Sequence, residues 1–323
     1  MKNFSLWCDF IENSFLDNEF IKLLYNNKIN GATSNPAIFK EAILKNKIYK
    51  DKINNFKSKN TKEKYENLAI QDIQKAADKL ALNYQNKNDG FVSIEIDPFL
   101  HDNTILSLGE AKRLYSTIAR KNIMIKIPAT KQSYEVMSVL MSEGINVNAT
   151  LIFSLEQTKA CFEALNQGLK EFRKKNISSK IEPQAVISVF VSRFDRLLNN
   201  KILDKNTIGI TNATLSYHYI NSKNEKNIRT LFASTGVKGD DLAKDYYIKE
   251  LLYKNCINTA PLDAIRAFNN DNIIFKDPLD ENHLNQILER NLSKDELNNT
   301  CKFLLDDGLK SFCIAFEEIL KAL

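Results

Sequence analysis

Residues 123–130 read IMIKIPAT, a β-strand with a charge in its middle. At a period of two, Met124, Lys126 and Pro128 share one face, and Ile123, Ile125 and Ile127 share the other. Burying an ammonium costs far more than burying a methylene. Lysine is almost never fully buried unless something pairs with it. The direction in which Lys126 points therefore depends on what the neighbouring strands offer it.

Those strands follow one pattern along the whole chain. Strand-like runs are predicted at 4–9, 29–35, 92–97, 123–129, 146–153, 185–193, 230–236 and 256–260. The stretches between them carry helical periodicity, as in 72–82, where Ile73, Ala76, Ala77, Leu80 and Ala81 recur at helical spacing. The chain closes on a helix with Phe312, Ala315, Phe316, Ile319 and Leu320 on one stripe. Eight strands, each followed by helical sequence, define a parallel α/β architecture. With no G-x-G-x-x-G after the first strand, the count favours a closed (β/α)₈ barrel over a doubly wound sheet. The surplus length, between strands two and three and after strand eight, reads as extra helices. One domain over 1–323 is expected, without linker or internal repeat.

Inward and outward positions alternate along a barrel strand. Trp7 and Asp9 share a parity, as do Thr33 and Asn35, then Ser93, Glu95 and Asp97. Asn146, Asn148 and Thr150 alternate with Val147, Ala149 and Leu151, and Val186, Ser188, Phe190 and Ser192 with Ile187, Val189 and Val191. The branched parity suits packing against outer helices, so the polar parity faces the interior. An unsatisfied buried polar group costs roughly 1–3 kcal/mol, so a purely structural barrel would gain by replacing these residues. A polar ligand site at the C-terminal ends of the strands explains them.

Composition narrows the chemistry. The chain is 43% apolar and 26% charged, and no apolar run approaches a membrane span. MKNFSLWCDF at the start lacks the apolar stretch and cleavage site of a signal peptide. The net charge of +5 is modest, and its most basic stretch, 45–67, reads as a solvated helical face. Without aromatic interleaving or a known motif it predicts no nucleic-acid partner. Five widely spaced cysteines without C-x-x-C, and three scattered histidines, predict a reduced, cytoplasmic chain with no metal and no cofactor.

Lys126 is then the reactive group. Desolvation disfavours its charged form and frees the amine to attack a carbonyl. The resulting imine is an electron sink that allows the adjacent C–C bond to break. Asp9 and Glu95 are the inward carboxylates available as acid or base. Taken by itself, a buried Lys–Glu ion pair without chemistry remains the alternative. Asn35, Asn148, Thr150 and Ser188 suit the hydroxyls of a sugar. RTLFASTGVKGDD puts Ser234 and Lys238 after strand seven, where barrels often bind phosphate, and Arg193 could supply a guanidinium. A simple turn explains that loop equally well.

The motifs GATSNPAIF, VSIEIDP, IMIKIPAT, INVNATLIFS, ISVFVSRFD, LFASTGVK and NTAP resemble, in order and spacing, those of the transaldolases. The resemblance runs from about Asp9 to DDGLKSF in the last helix. T-S-N-P followed about 90 residues later by I-K-I-P-A-T is specific. The resemblance implies a barrel with additional helices and a pentose phosphate pathway enzyme acting on sugar phosphates, a monomer or homodimer without a membrane or nucleic-acid partner. It implies an imine between Lys126 and C2 of a ketose phosphate, with Asp9 taking the C4 hydroxyl proton as C3–C4 breaks. Glu95 and Thr150 would hold a proton-shuttling water. Asn35 and Asn148 would bind the dihydroxyacetone unit beside Ser188, with Thr33 and Phe190 also against substrate. Arg193, Ser234 and Lys238 would hold the phosphate.

Two stretches depart from the pattern. FIENSFLDNEF lacks the Arg usual after the aspartate, and Gln132-Ser133 stands where Glu-Gly is common. A fructose 6-phosphate aldolase uses the same lysine, but those shorter relatives resemble Gln and Tyr at the positions of Glu95 and Phe190. A non-catalytic sugar-phosphate-binding barrel would predict loss of Lys126 or an acid partner. A phosphosugar isomerase needs a Glu/His pair at strand ends, and no histidine falls on a predicted strand.

Overall fold

The computed structural model describes residues 4–56, 60–270 and 273–323. Its strands are β1 (Phe4–Cys8), β2 (Gly31–Thr33), β3 (Val92–Glu95), β4 (Ile123–Pro128), β5 (Asn146–Ile152), β6 (Ala185–Phe190), β7 (Ile228–Ala233) and β8 (Cys256–Ala260). All are parallel and close in sequence order, β1 pairing with β8. Helices fill every crossover, so this is the (β/α)₈ barrel that the strand pattern predicts.

The alternation sorts side chains into two cores. Ile94, Ile123, Ile125, Ile127, Val147, Ile187 and Val189 pack outward among the helices. Trp7, Met124, Val186, Leu231 and Ile257 form an apolar floor inside the barrel, part of a separate cluster that extends to Leu151, Phe190 and Phe312. Burying each such side chain contributes roughly 1.5–3 kcal/mol, which fixes the register strongly. Gly31 is required in that floor: a Cβ there would stand 2.7 Å from the Trp7 indole. The Trp7 indole N–H donates to Asp89 Oδ2 at 3.1 Å, and Arg229 Nη2 donates to Asp89 Oδ1 at 2.6 Å.

The added helices sit where surplus length predicts them. Pro36–Lys45, Lys47–Asn54, Thr61–Lys79 and Ala81–Gln85 lie between β2 and β3; Leu262–Ala267, Glu281–Asn291 and Lys294–Ala322 follow β8. Helix Thr61–Lys79 buries Ile73, Ala76 and Ala77. The basic stretch 45–67 falls mainly on helices, Tyr49 being buried in it, and residues 57–59 lie outside the described residues. The C-terminal helix starts on a Ser293/Glu296 capping box and buries Phe312, Ala315, Phe316 and Ile319.

Most strands are shorter than or shifted from the sequence expectation, β2 spanning only Gly31–Thr33 of the expected 29–35, and four of the departures have a local cause. β3 stops at Glu95, so Asp97 leaves the barrel to cap the 3₁₀ turn Pro98–Leu100 and pair with Lys62 at 2.6 Å. β6 stops at Phe190, and Ser192 and Arg193 open the helix Ser192–Leu198. β7 begins at Ile228 and ends before Ser234, whose φ of 55° breaks the ladder. β5 carries a register shift between Ala149 and Ile152 with Leu151 at φ 57°, which turns Leu151 from the outer parity into the inner cluster. Among the described residues no helix is long and apolar enough to cross a membrane.

Candidate active site

At the C-terminal ends of the strands the interior opens into a cavity of about 120 Å³. Adjacent-strand register puts Glu95 beside Lys126, and Lys126 beside Asn148, in one inward layer. Lys126 is 6% exposed. Its Nζ donates to the Ser34 carbonyl at 3.0 Å and lies 3.6 Å from Glu95 Oε2. Burial pushes Glu95 up to about 7 against the pull of Lys126, with the Asp9 charge adding to the rise.

Asp9 follows β1, with its backbone N–H bonded to the Ala260 carbonyl at 2.9 Å. Burial raises its carboxyl above the usual range, against the opposing effects of Lys126 and Thr33. Thr33 Oγ1 donates to Asp9 Oδ1 at 2.7 Å and lies 2.7 Å from Thr259 Oγ1. Each hydroxyl has a single proton, so with Asp9 ionised the order of donation is Thr259 to Thr33 to Asp9. Thr33 thus faces the carboxylate as well as the cavity.

A second chain crosses the opposite wall. Ser188 Oγ donates to Asn148 Oδ1 at 2.6 Å, and Asn148 Nδ2 donates to Ser93 Oγ at 3.0 Å. Asn35 caps the helix Pro36–Lys45, its Oδ1 accepting from Ile38 N–H at 3.0 Å. That leaves its amide nitrogen as the donor on the cavity side. Two buried atoms of this region make no hydrogen bond to a described residue, Glu95 Oε2 and Thr150 Oγ1.

The cavity gathers Asp9, Thr33, Asn35, Lys126, Asn148, Thr150, Ser188, Phe190, Arg193 and Ser234. Glu95 stands behind Lys126 and lines a smaller hollow next to it. Arg193 stacks over the Phe190 ring at 5.4 Å, and burial, with the Arg196 charge, lowers its pKa. Ser234 lies 3.1 Å from Ser192 Oγ. Lys238 is exposed on the loop beyond and does not line the cavity. Thr259, Phe312 and the Ser34 carbonyl complete the site without having been anticipated. The parity of β8 carries the signal for Thr259, two residues after the inward Ile257. Phe312 arrives on the C-terminal helix and has no local signal.

The departures lie at the periphery. Glu12 caps the helix Asn13–Asp17, and Gln132 precedes the helix Ser133–Ser142, its carbonyl accepting from Thr104 Oγ1 at 2.9 Å. All five cysteines are unpaired thiols. Among the described residues no group of three or more His, Cys, Asp or Glu side chains is placed to hold a metal ion.

A closed parallel barrel that gathers an amine, two carboxylates and a ring of amides and hydroxyls at its C-terminal mouth is built as a barrel enzyme. The sequence matches the transaldolase/fructose-6-phosphate aldolase family over residues 6–323, and the chain belongs to that family. It is 68% identical to a transaldolase from Campylobacter jejuni over 327 aligned positions, covering 100% of both chains. It is 46% identical to a transaldolase from Helicobacter pylori, again covering 100% of both. The chain is therefore an enzyme, of a family that transfers ketone-bearing units.

Proposed function

We propose that this enzyme is a transaldolase that works through an imine on Lys126. It moves a dihydroxyacetone unit from sedoheptulose 7-phosphate or fructose 6-phosphate to glyceraldehyde 3-phosphate or erythrose 4-phosphate, in the non-oxidative pentose phosphate pathway. The observation that carries this reading is the Lys126 amine, buried at the wall of a polar cavity with its Nζ between the Ser34 carbonyl and Glu95. In the deprotonated form it adds to the C2 carbonyl of the donor; loss of the carbinolamine hydroxyl as water gives the iminium. Asp9 takes the C4 hydroxyl proton while the C3–C4 electrons move into the iminium, so an aldose phosphate leaves and an enamine remains. Addition to the acceptor aldehyde reverses these steps, and water releases the new ketose.

Glu95 near 7 exists in both protonation states at neutral pH and suits a group that gives and takes protons in turn. Glu95 Oε2 and Thr150 Oγ1, which make no hydrogen bond to a described residue, suit a shared water. Asn35, Asn148 and Ser188 bind the hydroxyls of the three-carbon unit, with Thr33 and Phe190 flanking it. Arg193 and Ser234 take the phosphate at the mouth, and Lys238, exposed on the loop beyond, adds positive charge outside the cavity. Five unpaired thiols support a reduced, cytoplasmic setting. A monomer or homodimer acting on sugar phosphates is the assembly we favour.

Incubation with fructose 6-phosphate and borohydride, followed by peptide mass mapping, tests the imine. An adduct on Lys126 is expected, and its absence there removes the mechanism. Erythrose 4-phosphate should accumulate only when an acceptor aldehyde is added; release without acceptor would make the enzyme an aldolase.

A further inference from the structure

Arg193 forms a wall between two hollows. Inside is the active-site cavity; outside is a groove of about 320 Å³ between the helices Ser192–Leu198 and Lys294–Ala322. The guanidinium carries five N–H donors, yet it donates no hydrogen bond to another described residue. Its one ion-pair partner among the described residues is Asp307 on the C-terminal helix, with Nη1 3.6 Å from Oδ2, beyond hydrogen-bond reach. The next residue, Gly308, lets that helix lie directly on the arginine: a Cβ there would stand 3.3 Å from Nη1 and 2.9 Å from Leu151. The spacing between Asp307 and Arg193 is thereby fixed by backbone packing.

We propose that Asp307 tunes phosphate affinity: its carboxylate competes for the Arg193 guanidinium at the cavity mouth and opposes the phosphate ester that docks there. This inference rests on the phosphate reading of Arg193 given above. The ion pair is exposed on the Asp307 side and longer than a hydrogen bond, so it is weak and leaves the arginine unsaturated. A phosphate can engage two N–H groups at once and wins the guanidinium. The carboxylate then stands beside a second anion, which loosens the bound ligand and favours its release.

Inorganic phosphate, used as a competitive inhibitor of the full-length enzyme, is the probe. Asp307→Asn should lower its inhibition constant roughly two- to fivefold, with the gain shrinking at high salt. The KM for fructose 6-phosphate should fall in step without a rise in kcat, while the KM for fructose stays unchanged. Asp307→Ala should act in the same direction. Asp306→Asn removes the same charge from the neighbouring exposed position and should match wild type. Wild-type behaviour of Asp307→Asn, an equal effect of Asp306→Asn, or an equal change with fructose would each overturn the proposal. If phosphate fails to inhibit the wild-type enzyme, the assignment of Arg193 falls first and takes this inference with it.

Discussion

The barrel buries two ion pairs of the same composition, a basic side chain facing a carboxylate, and treats them in opposite ways. In the floor, Arg229 and Asp89 meet at 2.6 Å, and the Trp7 indole supplies a further donor. Despite burial, Arg229 leads the interactions that hold the Asp89 carboxyl below its usual range. At the mouth, Lys126 and Glu95 stand 3.6 Å apart, Glu95 Oε2 has no hydrogen-bond partner, and its pKa rises to about 7. In the floor the Asp89 carboxylate has a donor on each oxygen and is held charged, although Arg229 Nε itself has no hydrogen-bond partner among the described residues. The mouth pair is poorly satisfied, so a proton can move on or off with little penalty. Burial alone does not distinguish structure from chemistry here; whether the carboxylate itself is met by donors does.

The sharpest test of that contrast sets two substitutions side by side. Lys126→Met should remove at least about three orders of magnitude of kcat by deleting the nucleophile, read by product formation and borohydride trapping. Its thermal stability should hold, because Glu95 can take up a proton once its partner is gone. Arg229→Met should cost about 3–5 kcal/mol in a urea melt, because Asp89 is left charged and unpaired in the floor. Equal destabilisation by the two changes would break the comparison.

A smaller effect lies in pH. Folding raises Glu95 from its ordinary 4.5 to about 7, so the folded protein binds this proton more tightly than the unfolded chain. Its contribution to stability is complete below about 4.5 and is lost as pH rises through 7. Across that window the wild type should lose on the order of 3 kcal/mol through this group. Glu95→Gln should flatten that slope, and an unchanged slope in paired melts would place the titration elsewhere. Smallest, Thr33→Val removes the donor that holds Asp9 down, leaving burial less opposed. We expect roughly a tenfold fall in kcat/KM, with the acid limb of its pH profile moving to higher pH. A simple drop in stability with an unmoved limb would assign Thr33 to packing alone.

The strand order and inward parity were readable because a two-residue period repeats on nearly every strand, and it aimed Lys126, Glu95 and Asn148 without any tertiary information. It failed where the backbone leaves that period. Leu151, at φ 57°, carries no glycine to announce the turn, so its change of face is invisible in the sequence. Arg193 reads as the end of a strand but lies in the first turn of a helix, and Asp97 is drawn off by Lys62 from a helix outside the barrel. Phe312, more than 50 residues beyond β8, enters the site on the C-terminal helix, and only packing decides where that helix lies. Lys238 sits in the predicted loop, yet four residues past Ser234 the chain is already at the surface.

Asn35 has a consequence for both folding and recognition. Its Oδ1 is bound to the Ile38 N–H before any ligand arrives, so the amide cannot rotate to present oxygen to the cavity without uncapping the helix Pro36–Lys45. The rotamer freedom of this side chain is lost when the chain folds and is not lost again on binding. The first turn of that helix thus serves as a jig, setting the angle of one donor in the cavity, and a frayed helix end would blur the ligand's orientation.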